Sequence, residues 1–256
     1  MTSTRNIAAV FGAIAAVLLL YLINPWVNPE EGSIISQVVT VGFWLSFIVL
    51  LVILFQQRKE PGGETIEIEG PAFTRFLFGN SRAGLFWLPI RLYLGFSWLE
   101  AGWHKFTDPA WVGADAGTAL AGFWERAVAT PEGGRPPISY DWYRAFIQTL
   151  LDNGAENWMT YVITFGELAV GIGLIIGLLT GFAAFFGAFM NMSFLLAGSS
   201  STNPVLFTLA IGLMLAWKVA GYYGVDRYLL PMLGTPWRPG TIAGHDTRPP
   251  AGGAAG

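Results

Sequence analysis

The amino-acid sequence predicts an all-α integral membrane protein: a four-helix transmembrane bundle preceded by an extra N-terminal transmembrane hairpin. Three observations predict it. Only 12% of the residues are charged, about half the fraction of a soluble domain, and the mean hydropathy is +0.50. Six apolar stretches approach the roughly 20 residues that cross a bilayer core. The basic residues of the short loops gather on one side of those stretches, as cytoplasmic loops require.

The first stretch, Ile7–Ile23, runs into "NPWVNPEEG", which offers no small-residue cleavage site, so an uncleaved anchor is expected rather than a secretory signal. Ser33–Phe55 returns across the bilayer, and residues 1–60 make an accessory transmembrane hairpin. Residues 61–83 read as a cytoplasmic linker, because "KEPGGETIEIEG" breaks helix with Pro and Gly. Within it the alternating "TIEIE" is a candidate short strand.

Residues 84–235 form the core. Its spans are Gly84–Phe106, Trp158–Leu179, Gly181–Ala197 and Val205–Gly221. Arg5, Arg58, Lys59, Arg75, Arg82, Arg227, Arg238 and Arg248 share one side if both termini are cytoplasmic. Trp26, Trp87, Trp103, Trp158 and Trp217 fall near span ends, where interfacial belts form. The outer loop, 107–157, contains two helical segments. "SYDWYRAFIQTLLDNG" places Tyr143, Phe146, Ile147, Leu150 and Leu151 on one face, with Ser139 as N-cap and Gly154 as stop. "AGTALAGFWERAVAT" is the second. Such segments are expected on the bilayer surface, roofing the bundle. Residues 236–256 are expected to be a disordered tail.

Composition also removes function classes. Cysteine is absent, so disulfides, Cys-ligated zinc, iron–sulfur clusters and dithiol exchange are excluded within this chain. With two histidines, one of them in the Gly/Pro-rich tail, neither a metal centre nor a bound haem is expected. No basic patch points to nucleic acid, and the lipid bilayer is the first partner.

The ionisable residues inside the spans carry the functional signal, since each costs at least about 2.5–3.5 kcal/mol in hydrocarbon without a partner. In "RLYLGFSWLEAGWHKF", helical spacing lines up Arg91, Gly95, Trp98, Gly102 and Lys105. Glu100 and His104 lie on the opposite side with Tyr93 and Phe96, so both sides of this span should meet protein. Lys105 is close enough to the outer end to snorkel. Glu167 lies ten residues past Asn157, about 15 Å deep. It shares a stripe with Thr160, Thr164 and Gly171. Its expected basic neighbour is Arg91 of the preceding span, either as a structural pair or beside a carboxylate that moves protons or bonds a quinone head group. Ala169, Gly173 and Gly177 repeat every four residues, as do Ala183, Gly187 and Asn191, which suits close helix packing. Asn191 then enters the packed face, where an interhelical hydrogen bond would suffice.

"RLYLGFSWLEAGWHKF", "GELAVGIGLIIGLLTGFAAFFGAFMNMSFLLAGSSSTNP" and "GYYGVDRYLLP" together resemble the DoxX/DoxD family of four-span membrane proteins over roughly residues 85–231. The long aromatic outer loop and "AGSSSTNP" are more similar to the DoxD-type subunit of thiosulfate:quinone oxidoreductase. That resemblance implies a bacterial or archaeal cytoplasmic membrane, a quinone as acceptor, and a separate small partner subunit, none being fused here. It also places Glu167, Asn191 and the stretch from Glu100 to Lys105 on family motif positions. Leu179–Thr180–Gly181 departs from the family, whose members often carry a basic residue at that turn. On this reading Glu167, Glu100 and His104 are candidate proton-transfer residues. Arg91, Lys105, Asn191, Arg126 and Arg144 are candidate substrate-binding groups, the outer basic ones, with His104, attracting a sulfur dianion. The alternative is a non-catalytic scaffold that anchors soluble redox or sulfur-transfer enzymes.

Overall fold

The computed structural model describes residues 2–23, 33–57, 70–132, 134 and 136–233, in two units, Met1–Glu69 and Gly70–Gly256. Trp26, the "TIEIE" segment and the tail 236–256 lie outside the described residues.

In the first unit, α1 (Thr2–Ile23) and α2 (Ile34–Gln57) pack on one another. Gly12 faces Leu50 and Gly42 faces Leu18, so the two run antiparallel. The Ser46 hydroxyl donates to the carbonyls of Gly42 (2.8 Å) and Phe43 (2.9 Å), which satisfies it inside its own helix. Ile35, Val41, Trp44, Ile48 and Leu51 are exposed around α2. A helix apolar all round needs lipid or protein on every side.

In the second unit, α3 (Ala72–Gly79) and a 3₁₀ turn (Ser81–Ala83) lead into α4 (Gly84–Thr107). Then come α5 (Thr118–Val128), α6 (Asp141–Asp152), α7 (Glu156–Ile176), α8 (Thr180–Leu196), α9 (Asn203–Leu215), α10 (Trp217–Ala220) and α11 (Asp226–Met232). A ring of contacts closes the bundle: α4 on α7, α7 on α8, α8 on α9, and α9 back on α4. Glycines set the separations. Side-chain carbons added at Gly95, Gly102 and Gly171 would come within 2.6–2.9 Å of atoms of the facing helix, so α4 and α7 touch nearly backbone to backbone. Gly173 meets Ala183, and Gly187 meets Val170, across the α7–α8 contact. The expected 169–173–177 stripe is therefore only partly an interface, because Ala169 is exposed. Gly171, two positions from both Ala169 and Gly173, makes the closest approach of α7 to the α4 backbone.

The six apolar stretches are largely helical, the sixth being broken at Ala216 between α9 and α10. Among the described residues, α2 over Ile34–Ile53 and α7 over Glu156–Ile176 are long and apolar enough to cross a membrane. The apolar helices Ile7–Leu19, Thr180–Leu196 and Asn203–Leu215 are shorter, and α4 carries Arg91, Glu100 and Lys105.

Two tryptophans depart from the belt expectation. Trp87 is a core residue whose indole N–H donates to the Leu77 carbonyl (2.8 Å), tying α3 to α4. Trp217 is half-buried, while Trp103 and Trp158 are exposed near the α4–α5 end. The loop helices α5 and α6 pack on one another. They build a second apolar core from Leu120, Trp124, Ile138, Tyr143 and Ile147 that closes over the start of α7 and reaches Ala197 after α8. Phe146 alone of the expected face is exposed. The N-cap of α6 is Tyr140 rather than Ser139, with no side-chain cap bond. Gly154, at φ +64°, ends the turn as its freedom from Cβ allows.

Candidate functional site

The α4–α7 contact positions the site. Along α4, Arg91, Gly95, Trp98 and Gly102 are buried; along α7, Thr160, Thr164, Glu167 and Gly171 are buried. Both stripes follow helical spacing, and they face each other because the glycines permit it. At the α5–α6 end of this seam, Lys105 Nζ donates to both oxygens of Glu167, at 2.9 Å to Oε1 and 2.7 Å to Oε2. The carboxylate side chain is 1% exposed and the lysine 19%. Trp111, in the strap between α4 and α5, lays its ring 5.1 Å from Lys105 Nζ, a cation–π contact. The strap is tied down in turn by the Thr160 hydroxyl, which donates to the Trp111 carbonyl at 2.9 Å.

This pairing corrects two expectations. Lys105, expected to snorkel, is the partner of Glu167, and Arg91 is not. The helices run antiparallel, with Gly95 beside Ile175 and Gly102 beside Leu168, so Glu167 sits level with the last turn of α4. Arg91 lies fourteen positions before Lys105, about 21 Å along the axis. There its guanidinium Nη2 donates to the Tyr223 carbonyl at 2.9 Å, and the charge of Asp226 faces it. Side-chain carbons at Gly177 or Gly224 would collide with Arg91 Nη1, so both glycines make room for it. Asp226 also accepts from the backbone N–H groups of Leu179 (2.6 Å) and Thr180 (2.8 Å), capping α8 from more than forty residues away. That hold keeps Leu179, a non-glycine at φ +46°, in the left-handed region.

Both polar sides of α4 were expected to meet protein; only one does. Glu100 and His104 are exposed, as are Tyr93 and Phe96. The other candidates divide. Asn191 is fully buried inside the bundle, level with Gly166 because Gly166 contacts Met190. Arg126 is exposed on α5. Arg144 is engaged within the loop core, pairing with Asp141 and donating to the Ile138 carbonyl at 2.6 Å. The structure thus brings together Lys105, Glu167 and, at a similar level, Asn191, and separates them from Arg91, Glu100 and His104.

Residues 86–198 match the DoxX family model. That stretch, less than half of the chain, is thus a DoxX-like domain. The match and the apolar helices α2 and α7 both support a membrane protein. No curated protein and no solved structure matches it. The DoxX domain spans α4 to α8 and so contains Lys105, Glu167, Asn191 and the α5–α6 cap, while Tyr223 and Asp226 lie beyond its matched end.

Two participants were not singled out from sequence. Trp111 sits in a loop with no periodicity to flag it. Asp226 lies in "GYYGVDR", where glycines at 221 and 224 crowd its carboxylate and Arg91; that pair of glycines was the available signal. A further feature of the DoxX domain is a groove of about 690 Å³ along α7 and α8, from Trp124 and Tyr143 of the cap past Gly166 and Ala169 to Leu179. Its lining is almost wholly apolar. At its cap end the Tyr143 hydroxyl donates to the Ser193 carbonyl at 2.9 Å. Burial pushes the Tyr143 phenol above its ordinary pKa, and that hydrogen bond opposes the shift.

Proposed function

We propose that this DoxX-domain protein is the membrane subunit of a quinone-linked oxidoreductase, passing electrons from thiosulfate or a related sulfur anion to membrane quinone. In this reading α1, α2, α4, α7, α8 and α9–α10 are six spans of a bacterial or archaeal cytoplasmic membrane. Both termini are cytoplasmic, and a separate small subunit or soluble redox enzyme completes the assembly. The observation that carries the proposal is the Lys105–Glu167 pair, an ammonium and a carboxylate held in contact at one end of an apolar bundle. Ion pairs in such surroundings are expensive and mark functional sites.

The chemistry asked of the pair is simple. Two thiosulfates joined through an S–S bond as tetrathionate release two electrons, and a quinone takes up those electrons with two protons to become quinol. Lys105, partly exposed at the outer end, offers the dianion a positive charge. Glu167, a carboxylate in the resting pair, takes up protons one at a time from the water that reaches Lys105 and passes each to the reduced quinone. The apolar groove falls within the roughly 300–1,000 Å³ of ordinary ligand pockets, and its lining suits an isoprenoid chain.

The test is thiosulfate-dependent reduction of a soluble quinone by protein purified with its native partner. Glu167→Gln is expected to lower turnover by roughly 10²–10⁴-fold, the usual worth of a positioned acid–base group; unchanged turnover removes the carboxylate from the mechanism. One observation favours the scaffold reading as a second possibility: the cap exposes Tyr140, Trp142 and Phe146, a surface able to hold a soluble enzyme. A tightly co-purifying partner released by Trp142→Ala, with no quinone in the lipid extract, would decide for it.

A further inference from the structure

Polar atoms from three helices lie buried inside the bundle without protein partners. They are Trp98 Nε1 on α4, Thr164 Oγ1 on α7, and both amide atoms of Asn191 on α8. Trp98 is 3% exposed, and Thr164 and Asn191 are 0% exposed. Glycine contacts put Thr164 and Asn191 near one level, with the Trp98 indole N–H about one helical turn away along the bundle. A side-chain carbon at Gly187 would lie 2.9 Å from Trp98 Nε1, and Gly187 is one helical turn before Asn191. Gly166, between Thr164 and Glu167, faces Met190, the residue before Asn191. A dry orphan donor or acceptor carries its full desolvation penalty, and buried polar side chains almost always have a partner.

The donor set narrows what that partner is. The Trp98 indole only donates, the Asn191 amide donates and accepts, and the Thr164 hydroxyl does either. A sulfur dianion or a carboxylate, which only accepts, leaves Asn191 Oδ1 unmatched. An ammonium, which only donates, leaves Trp98 unmatched. Water does both, and buried waters typically make about three hydrogen bonds to such groups.

We propose that the bundle interior between α4, α7 and α8 is a binding site for water, held by Trp98, Thr164 and Asn191 and reaching the side of Glu167 away from Lys105. Each carboxylate oxygen of Glu167 keeps acceptor capacity beyond its bond to Lys105, so the site extends to it without breaking the ion pair. This assigns Asn191 a role as water ligand rather than as an interhelical clasp. The inference stands apart from the redox reading, since it concerns hydration and not turnover.

The test uses full-length protein carrying ¹⁵N-tryptophan in lipid nanodiscs, with Trp98→Phe to identify the Trp98 indole signal. The expected result is a water cross-peak to that N–H and its full exchange in D₂O. An indole proton that shows no water contact and stays protected as long as the core amides overturns the proposal. Asn191→Leu supplies a second arm that needs no assignment. In a hydrated site the change strips the water of two partners and lowers Tm; in a dry site it removes an orphan amide, and a Tm equal to or above wild type sinks the idea.

Discussion

Removing either half of the Lys105–Glu167 pair should destabilise the DoxX domain, but by unequal amounts. Lys105→Met strands a carboxylate that is 1% exposed, and breaking a buried pair in this way costs about 3–5 kcal/mol. Glu167→Gln strands an ammonium that is 19% exposed and still rests on Trp111. Its long stem can turn the charge toward water, so the cost is that of lost charged hydrogen bonds, about 1.5–3 kcal/mol. The double variant leaves no charge unmatched and should cost no more than Lys105→Met alone, which implies a coupling of at least about 1.5–3 kcal/mol. At roughly 2–4 °C per kcal/mol for a unit of this size, Lys105→Met lowers Tm by roughly 6–20 °C. Thermal unfolding in nanodiscs, followed by tryptophan fluorescence across the four members of the cycle, measures all of this. A larger loss from Glu167→Gln than from Lys105→Met, or strict additivity in the double variant, refutes the pairing.

Four further outcomes are expected. Gly171→Ala puts a carbon 2.6 Å from the Leu99 backbone nitrogen and should cost about 1–3 kcal/mol as overpacking. Gly79→Ala, with nothing within 4 Å, should change Tm by less than the equivalent of about 0.5 kcal/mol. Asp226→Ala uncaps α8 and leaves Arg91 unbalanced, for a loss of about 3–5 kcal/mol, with Asp226→Asn milder; equal melting of the two would show that the charge is immaterial. Tyr143→Phe should lose about 0.5–1.5 kcal/mol with its bond to Ser193. Because burial raises the Tyr143 pKa, the stabilisation from its protonated phenol is complete below the ordinary tyrosine value. It fades as pH rises through the raised one. The phenolate absorbance of wild type minus Tyr143→Phe should therefore appear later than that of free tyrosine.

Much of the site was legible because helical spacing is a local property. The buried stripes Arg91–Gly95–Trp98–Gly102 and Thr160–Thr164–Glu167–Gly171 follow from residue order alone, and so does the separation of Glu100 and His104 from them. The amphipathic faces of α5 and α6 were readable for the same reason. The identity of Glu167's neighbour was not, because periodicity says which way a side chain points and nothing about the axial offset between two helices.

From the chain alone came the helical class, the six apolar stretches, and the existence of charged side chains that had to find company away from lipid. Tertiary packing decided which company. Gly95, Gly102 and Gly171 fix the antiparallel offset of α4 and α7, and that offset sets Lys105 beside Glu167 while carrying Arg91 about 21 Å away to Asp226. The physical reason is that glycine seams lock two backbones at one depth, and a registry between distant segments is written in their contact rather than in either segment's sequence.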